Sequence, residues 1–375
     1  MLRGLMITMM AAGLMIGAVP GASASTTSWT IQPTPTPADG VNGQLQAVSC
    51  LSAASCTAVG NYESDAGTVT LVEVWDGSAW TVQTSPNPSG ANFSDLTGVS
   101  CSSATSCTAV GDYTLSGSGS MPLAEHWDGS TWALQSVPSP SGAISSFLDA
   151  VSCPSATSCT AVGNSLAQTR PEPTLAEYWN GSTWTIQSTP IPAPQAGSDF
   201  LRGVSCTAPD KCTAVGWFQR PGINNFVGLT EQHYGSRWRF VSARGGSSAI
   251  TGQLNGVSCT AKNNCTLVGT NGNGAALAEH WDGTGWTAQT TPSPASIILT
   301  AVSCATATGC TSVGYSPTAG YATVAERYYQ GTWRTQPTGS PNSPEELLGL
   351  SCVSASTCTA VGTYTRADNP LAESN

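Results

Sequence analysis

The chain is predicted to be all-β: a seven-bladed β-propeller with four antiparallel strands to a blade, its ring closed by an N-terminal strand. Three observations carry this prediction. A Cys-x5-Cys pair recurs seven times in 375 residues, as Cys50/Cys56, Cys101/Cys107, Cys153/Cys159, Cys206/Cys212, Cys259/Cys265, Cys304/Cys310 and Cys352/Cys358. The second cysteines are spaced by 51, 52, 53, 53, 45 and 48 residues, a period that marks a repeat architecture. Each of the first six pairs is followed by a Glu and then a Trp, and no segment carries the long 3.6-residue apolar stripe of a helix.

The second repeat shows the strands most clearly. Residues 96–101 read as a first strand, 102–106 as a five-residue turn, and 107–113 as a second strand. After a Gly/Ser-rich loop, 122–127 make a third strand. Asp128-Gly129 is a hairpin signal, because a tight turn needs a residue at positive φ, and it leads into a fourth strand at 132–137. Pro138-Ser139-Pro140 then ends the pairing. Four short strands in about 50 residues make one blade. Each cysteine pair is expected to form a disulfide between strands one and two, contributing about 2 kcal/mol in the chain-entropy model. Zinc is the rival use of such pairs, but it needs further close ligands, and the chain has only His126, His233 and His280.

The runs Cys107-Thr108-Ala109-Val110-Gly111 and 123–132 (Leu-Ala-Glu-His-Trp-Asp-Gly-Ser-Thr-Trp) resemble the kelch repeat of galactose-oxidase-type propellers. There a strand ends in glycines, and an aromatic-Asp turn precedes a Trp that opens the outer strand. The likeness spans residues 29–375 but has a single glycine (Gly60, Gly111, Gly163, Gly216, Gly269, Gly314, Gly362) where kelch has two. It also adds paired cysteines. The chain looks like a disulfide-stapled relative of the kind secreted by Gram-positive, high-GC (actinobacterial-type) bacteria. A galactose-oxidase copper site would need an unpaired Cys crosslinked to Tyr, and here every Cys has a mate.

Ring closure follows from the outer-strand Trp. It occurs at Trp29, Trp80, Trp132, Trp184, Trp238, Trp286 and Trp333, so the first precedes any cysteine pair. Residues 29–35 are therefore expected to supply the fourth strand of the blade that begins at Leu347, which removes an open sheet edge. An open seven-unit solenoid is the alternative.

The first 24 residues read as a signal peptide: Arg3, an apolar run over 5–19, and the small-x-small site Ala22-Ser23-Ala24. The domain layout is thus a leader at 1–24 and a propeller at 25–375, secreted, with no membrane span in the mature chain and expected to be a monomer. Net charge is −10, which argues against a nucleic-acid partner. No nucleophile–base set or metal set is visible, so no catalytic centre, metal or cofactor is expected.

A feature present in every repeat is read as framework. The third-strand residues Glu73, Glu125, Glu177, Glu231, Glu279, Glu326 and Glu373 are expected to accept backbone hydrogen bonds, rather than to pair as glycosidase acids. Departures from the repeat are read as function. The loops after strand two vary (60–70, 111–121, 164–174, 219–228), and variable loops on a rigid scaffold commonly bind. The fourth repeat departs most, with His233 and Tyr234 replacing a Trp-Asp. Six of twelve basic residues (Arg202, Lys211, Arg220, Arg237, Arg239, Arg244) lie within 43 positions there. The candidate ligand residues are Trp217, Phe218, Arg220 and Phe226, an aromatic platform with a guanidinium suited to a carboxylate. The expected function is non-enzymatic recognition of an extracellular glycan or protein. A polysaccharide lyase or glycosidase using loop acids such as Glu63 or Glu172 is the alternative.

Overall fold

Small residues dominate the second strand of every repeat because that strand is buried on both faces. In Ser106–Leu115 the first seven residues are buried, and Ala58, Val59, Ala109, Val110, Ala161 and Val162 are all fully inaccessible. The structure, a computed structural model, describes residues 28–38, 40–168, 174–190, 199–219, 226–241, 251–292, 296–339, 345–364 and 369–375. The leader expected at 1–24 lies outside the described residues, as do Arg220, Arg244 and Glu172.

Among the described residues the chain is all-β apart from one 3-10 turn, and its strands group into seven four-stranded antiparallel units. The units span 40–83, 91–135, 143–187, 199–240, 252–289, 298–336 and 345–374. Units one and two are joined into an eight-stranded sheet by one parallel bridge, Thr68 to Phe93. Unit seven takes its outer strand from Thr30–Gln32, which pairs antiparallel with Asn369–Ser374 in the register Thr30↔Ser374. Its residues come from inside the expected 29–35.

Each core cluster is built between two units rather than within one. Val59 and Val72 of unit one pack with Leu96, Val99 and Trp132 of unit two. Val361 and Ala372 of unit seven pack in the same way with Leu45, Val48 and Trp80 of unit one. The first strands lie side by side from unit one to unit seven, and the first strand of unit seven lies against that of unit one.

Seven disulfides join the expected cysteines: Cys50–Cys56, Cys101–Cys107, Cys153–Cys159, Cys206–Cys212, Cys259–Cys265, Cys304–Cys310 and Cys352–Cys358. The five-residue turn is corrected, however. Strand one of unit two runs on to Ser103 and strand two starts at Ser106, so only Ala104 and Thr105 turn. Cys101 and Cys107 face each other within the ladder. The disulfide links residues already paired, and the hairpin continues past it.

Every unit has a β-bulge immediately after the buried strand-one Leu, as between Leu96 and Gly98 or Leu201 and Gly203. The glycine of strand two sits opposite that bulge. A Cβ on Gly111 would lie 1.9 Å from the Asp95 carbonyl oxygen, which is why this position lacks a side chain. Gly111→Ala is expected to cost about 2 kcal/mol through overpacking. Urea denaturation at equal m-value would measure it, and an unchanged midpoint would refute the close approach.

Three belts of hydrogen bonds cross the joints, and none was read from the sequence. In the inner belt the hydroxyl of Ser49 accepts from the Cys101 N–H, Ser100 from Cys153, Ser152 from Cys206, Ser205 from Cys259, Ser258 from Cys304, Ser303 from Cys352 and Ser351 from Cys50, all at 2.9–3.0 Å. In the middle belt the Thr after each second cysteine approaches a disulfide sulfur of the next unit, as Thr160 does Cys212 at 3.5 Å. In the outer belt a Trp Nε1–H donates to a Gln of the preceding unit, as Trp132 does to Gln83 at 3.0 Å.

The turn between strands three and four lies beside the disulfide turn, because the Trp75 Nε1–H donates to the Ala53 carbonyl and Gly77 sits against Ala54. Asp76 holds its turn by accepting from Ser78 and Ala79 N–H groups at 2.8 and 2.9 Å. These nearly constant turns form one face. The variable loops and the linkers between units lie at the other ends of the strands.

Candidate functional site

Adjacent residues in a strand point to opposite sides of the sheet, and this divides the predicted site. Trp217 and Phe218 are neighbours, so they cannot share a platform. Phe218 is 3% exposed and packs with Leu201, Val227 and Leu229 and with Val162 and Ala176 of unit three. Phe218 is therefore a core residue, and its assignment to the ligand site is corrected. Trp217 lies on the other side. Phe226 reaches the same side and is 38% exposed.

The register adds a residue that sequence reading missed. Phe200 in strand one is paired directly with Trp217 in strand two. Their ring centroids are 4.2 Å apart, and Trp217 and Phe226 are 4.4 Å apart, so three aromatic rings run across unit four. Phe200 is 17 residues from Trp217 in sequence, and only the hairpin register connects them. At the inner end Arg202, on the bulge, places its guanidinium 5.7 Å from the Phe200 ring centroid. It also donates to Asp149 of unit three at 2.8 Å, with nearly half of its own side chain exposed. Arg202 thus holds the place beside the aromatic row for which the sequence offered Arg220, which lies outside the described residues.

An acidic patch continues from Arg202 across units three and two. Asp95 accepts from Asn61 of unit one at 2.8 Å and is paired in register with Asp112. Burial pushes the Asp112 carboxyl up to about 7, aided by the charges of Asp95 and Asp149 and opposed by a hydrogen bond from Ser120. Burial also raises Asp149, against the pull of Arg202. Arg202 is the one cation in an ion pair with this patch among the described residues.

The third-strand glutamates are elsewhere, inside the sheets. All seven are at most 1% exposed. Glu373 accepts from the Gly339 N–H at 3.2 Å, as expected of a backbone donor. Glu125 and Glu231 take hydroxyls instead, from Ser85 at 2.6 Å and Thr174 at 3.4 Å. Neither oxygen of Glu73 or Glu177 has a hydrogen-bond partner, which corrects the expectation of backbone donors at those two positions. Burial lifts Glu73, Glu125, Glu177 and Glu231 to about 8 and Glu373 to about 7. Closed off from solvent, these carboxyls cannot reach a polymer substrate. Glu63, the other loop acid in view, accepts from Asn42 at 2.8 Å on the variable face. Among the described residues no three His, Cys, Asp or Glu side chains are grouped to hold a metal ion, and no helix is long and apolar enough to cross a membrane.

No protein-family model and no curated protein matches the chain. Solved structures do match it along nearly its whole length, and they are β-propellers. YCF48 from Cyanidioschyzon merolae is 13% identical with a TM-score of 0.55, covering 92% of this chain and 98% of that one. A structure of YCF48 bound to D1 peptide is 11% identical with a TM-score of 0.54, covering 91% and 97%. A chain of the mitotic checkpoint complex is 11% identical with a TM-score of 0.56, covering 100% and 98%. At these identities the likeness is one of fold: the chain is an all-β protein of propeller type.

Proposed function

We propose that this chain is a secreted binding module: a leader at 1–24 followed by a kelch-like, seven-bladed propeller at 25–375, recognising an extracellular glycan or protein without catalysis. Closure of the ring is supported by the pairing of Thr30–Gln32 with Asn369–Ser374 and by the Cys50 N–H bond to Ser351, which repeats the other six joints. Residence outside the cell is supported by seven disulfides, which persist in oxidising compartments.

The row Phe200–Trp217–Phe226 with Arg202 at its end is the observation that carries the binding reading. Closely spaced, tilted rings partly open to solvent serve a sugar face or an apolar side chain, and the guanidinium beside them can take a carboxylate or hydroxyl.

Probing glycan and secreted-protein arrays with the wild type and Trp217→Ala tests this. A hit should weaken at least about thirtyfold in the variant, the loss expected for a central aromatic contact. Phe218→Ala serves as the contrast: it should lower the unfolding temperature while leaving the affinity of the folded fraction intact. A hit that Trp217→Ala retains at full strength removes unit four from the binding account.

A further inference from the structure

The outer belt of Trp–Gln bonds is made at six joints and broken at one. Trp80, Trp132, Trp184, Trp238, Trp333 and Trp29 donate to Gln32, Gln83, Gln135, Gln187, Gln289 and Gln336. The acceptor always stands three residues after the Trp of the preceding unit. In unit four that position is Val241, whose side chain has no polar atom. The Nε1–H of Trp286 in unit five is accordingly left without a partner, in a residue only 3% exposed.

A second donor is orphaned at the same joint for a separate reason. In units one and two the third-strand Trp donates to the first carbonyl of the disulfide turn, Trp75 to Ala53 and Trp127 to Ala104, both at 3.1 Å. The matching pair in unit five is Trp281 and Lys262. Tyr234 of unit four, standing where units one, two, three and five have Asp or Asn, reaches across and donates its hydroxyl to the Lys262 carbonyl at 3.2 Å. Trp281 Nε1–H, in a residue 7% exposed, has no partner either. The two indoles are neighbours, with centroids 5.6 Å apart.

An indole N–H can only donate, and a buried donor without a partner costs about 1–3 kcal/mol. Two such donors at one joint call for an acceptor from outside the chain. The corresponding joint between units one and two carries a surface groove of 440 Å³ lined by Gln83, Trp127, Ser130 and Trp132. At the unit four–five joint the shorter Val241 stands in place of Gln83 and packs against the cluster that contains Trp281 and Trp286. The surroundings favour an anion. Lys211, Arg237, Arg239 and Lys262 belong to the two units' turns and outer strand there, against Asp210 and Asp282. Asp282 is also engaged, accepting from Thr284 and Gly285 N–H groups in its own turn.

We infer that the joint between units four and five, on the constant-turn face, is a binding site for a carboxylate, held by the indole N–H groups of Trp281 and Trp286 beside a basic rim. This site is separate from the aromatic row on the opposite face and does not depend on it.

Nitrogen-labelled tryptophan in the full chain gives a direct readout. The two indole N–H resonances are assigned from Trp281→Phe and Trp286→Phe. Glucuronate or a blocked aspartyl dipeptide should shift both saturably, and glucose should shift neither; which of the two acids binds tells whether a sugar or a peptide carries the group. Val241→Gln supplies the missing internal acceptor, so it should raise the unfolding temperature and abolish the Trp286 shift. Resonances unmoved by either acid at millimolar concentration overturn the inference. So does an equal response to glucose, or a Val241→Gln protein that is more stable yet still binds.

Discussion

Raising the pH from about 5 to about 9 is expected to lower the unfolding temperature steeply, through the buried glutamates rather than the surface. Glu73, Glu125, Glu177 and Glu231 hold their protons to about 8 in the folded chain, against 4.5 for the free group. Between those values the unfolded chain gives up protons that the folded chain keeps. Stability is therefore fully present below about 4.5 and drains away as the pH climbs through 8, in the opposite sense to a salt-bridged carboxylate. For one group the displacement corresponds to roughly 5 kcal/mol, a large share of a typical domain's margin. Asp112, raised to about 7, adds to the same slope. Calorimetry across this range, with Glu73→Gln/Glu177→Gln beside the wild type, separates cause from coincidence. The amide keeps the shape and cannot ionise, so the double variant should melt higher than wild type at alkaline pH and almost equally at acid pH. An unaltered slope in that variant would place the titration elsewhere.

Trp29→Ala is expected to be the most damaging single substitution, costing about 3–5 kcal/mol. Trp29 is 1% exposed and packs with Leu347, Ala360 and Leu371 of unit seven and with Val313 and Ala325 of unit six. Its indole N–H donates to Gln336, so it also ties the two units. The adjoining strand Thr30–Gln32 is only three residues long, and besides its ladder to Asn369–Ser374 it is tied by Trp80 donating to Gln32 and Thr30 donating to the Ser374 carbonyl. Loss of the ring should free that strand and expose the edge of Asn369–Ser374, an invitation to aggregation. Urea midpoints and light scattering would show both effects. A midpoint within experimental error of the wild type would mean that unit seven does not rely on its N-terminal strand.

What the sequence disclosed and what it hid follow from the kind of signal each residue gives. Cysteines and tryptophans are rare, so their sevenfold recurrence stands out, and the strand pattern and local pairing could be read directly. Ser49 and its counterparts organise every joint, yet a serine in a Ser- and Thr-rich chain offers no contrast. The turn is shorter than the 102–106 expected because a disulfide need not end a strand: Cys101 sits two residues and Cys107 one residue inside the hairpin ladder. At the site, period-two alternation already separates Trp217 from Phe218. Phe200 was hidden because its tie to Trp217 is a matter of register, which no local pattern in strand one announces. Glu73 and Glu177 show the limit of reasoning from repetition: a repeated carboxyl need not have a repeated partner.

The inner belt has a mechanical consequence. Each cysteine of strand one is held twice, through its sulfur to the strand beside it and through its N–H to the serine of the neighbouring unit. Sliding one sheet along the next by a single residue would break that bond and turn the wrong side chains toward the joint. The units therefore cannot fan, tilt or iris like the leaves of a shutter, and the body they make is stiff. A ligand of such a body would meet a preformed surface, with no sheet free to shift and receive it.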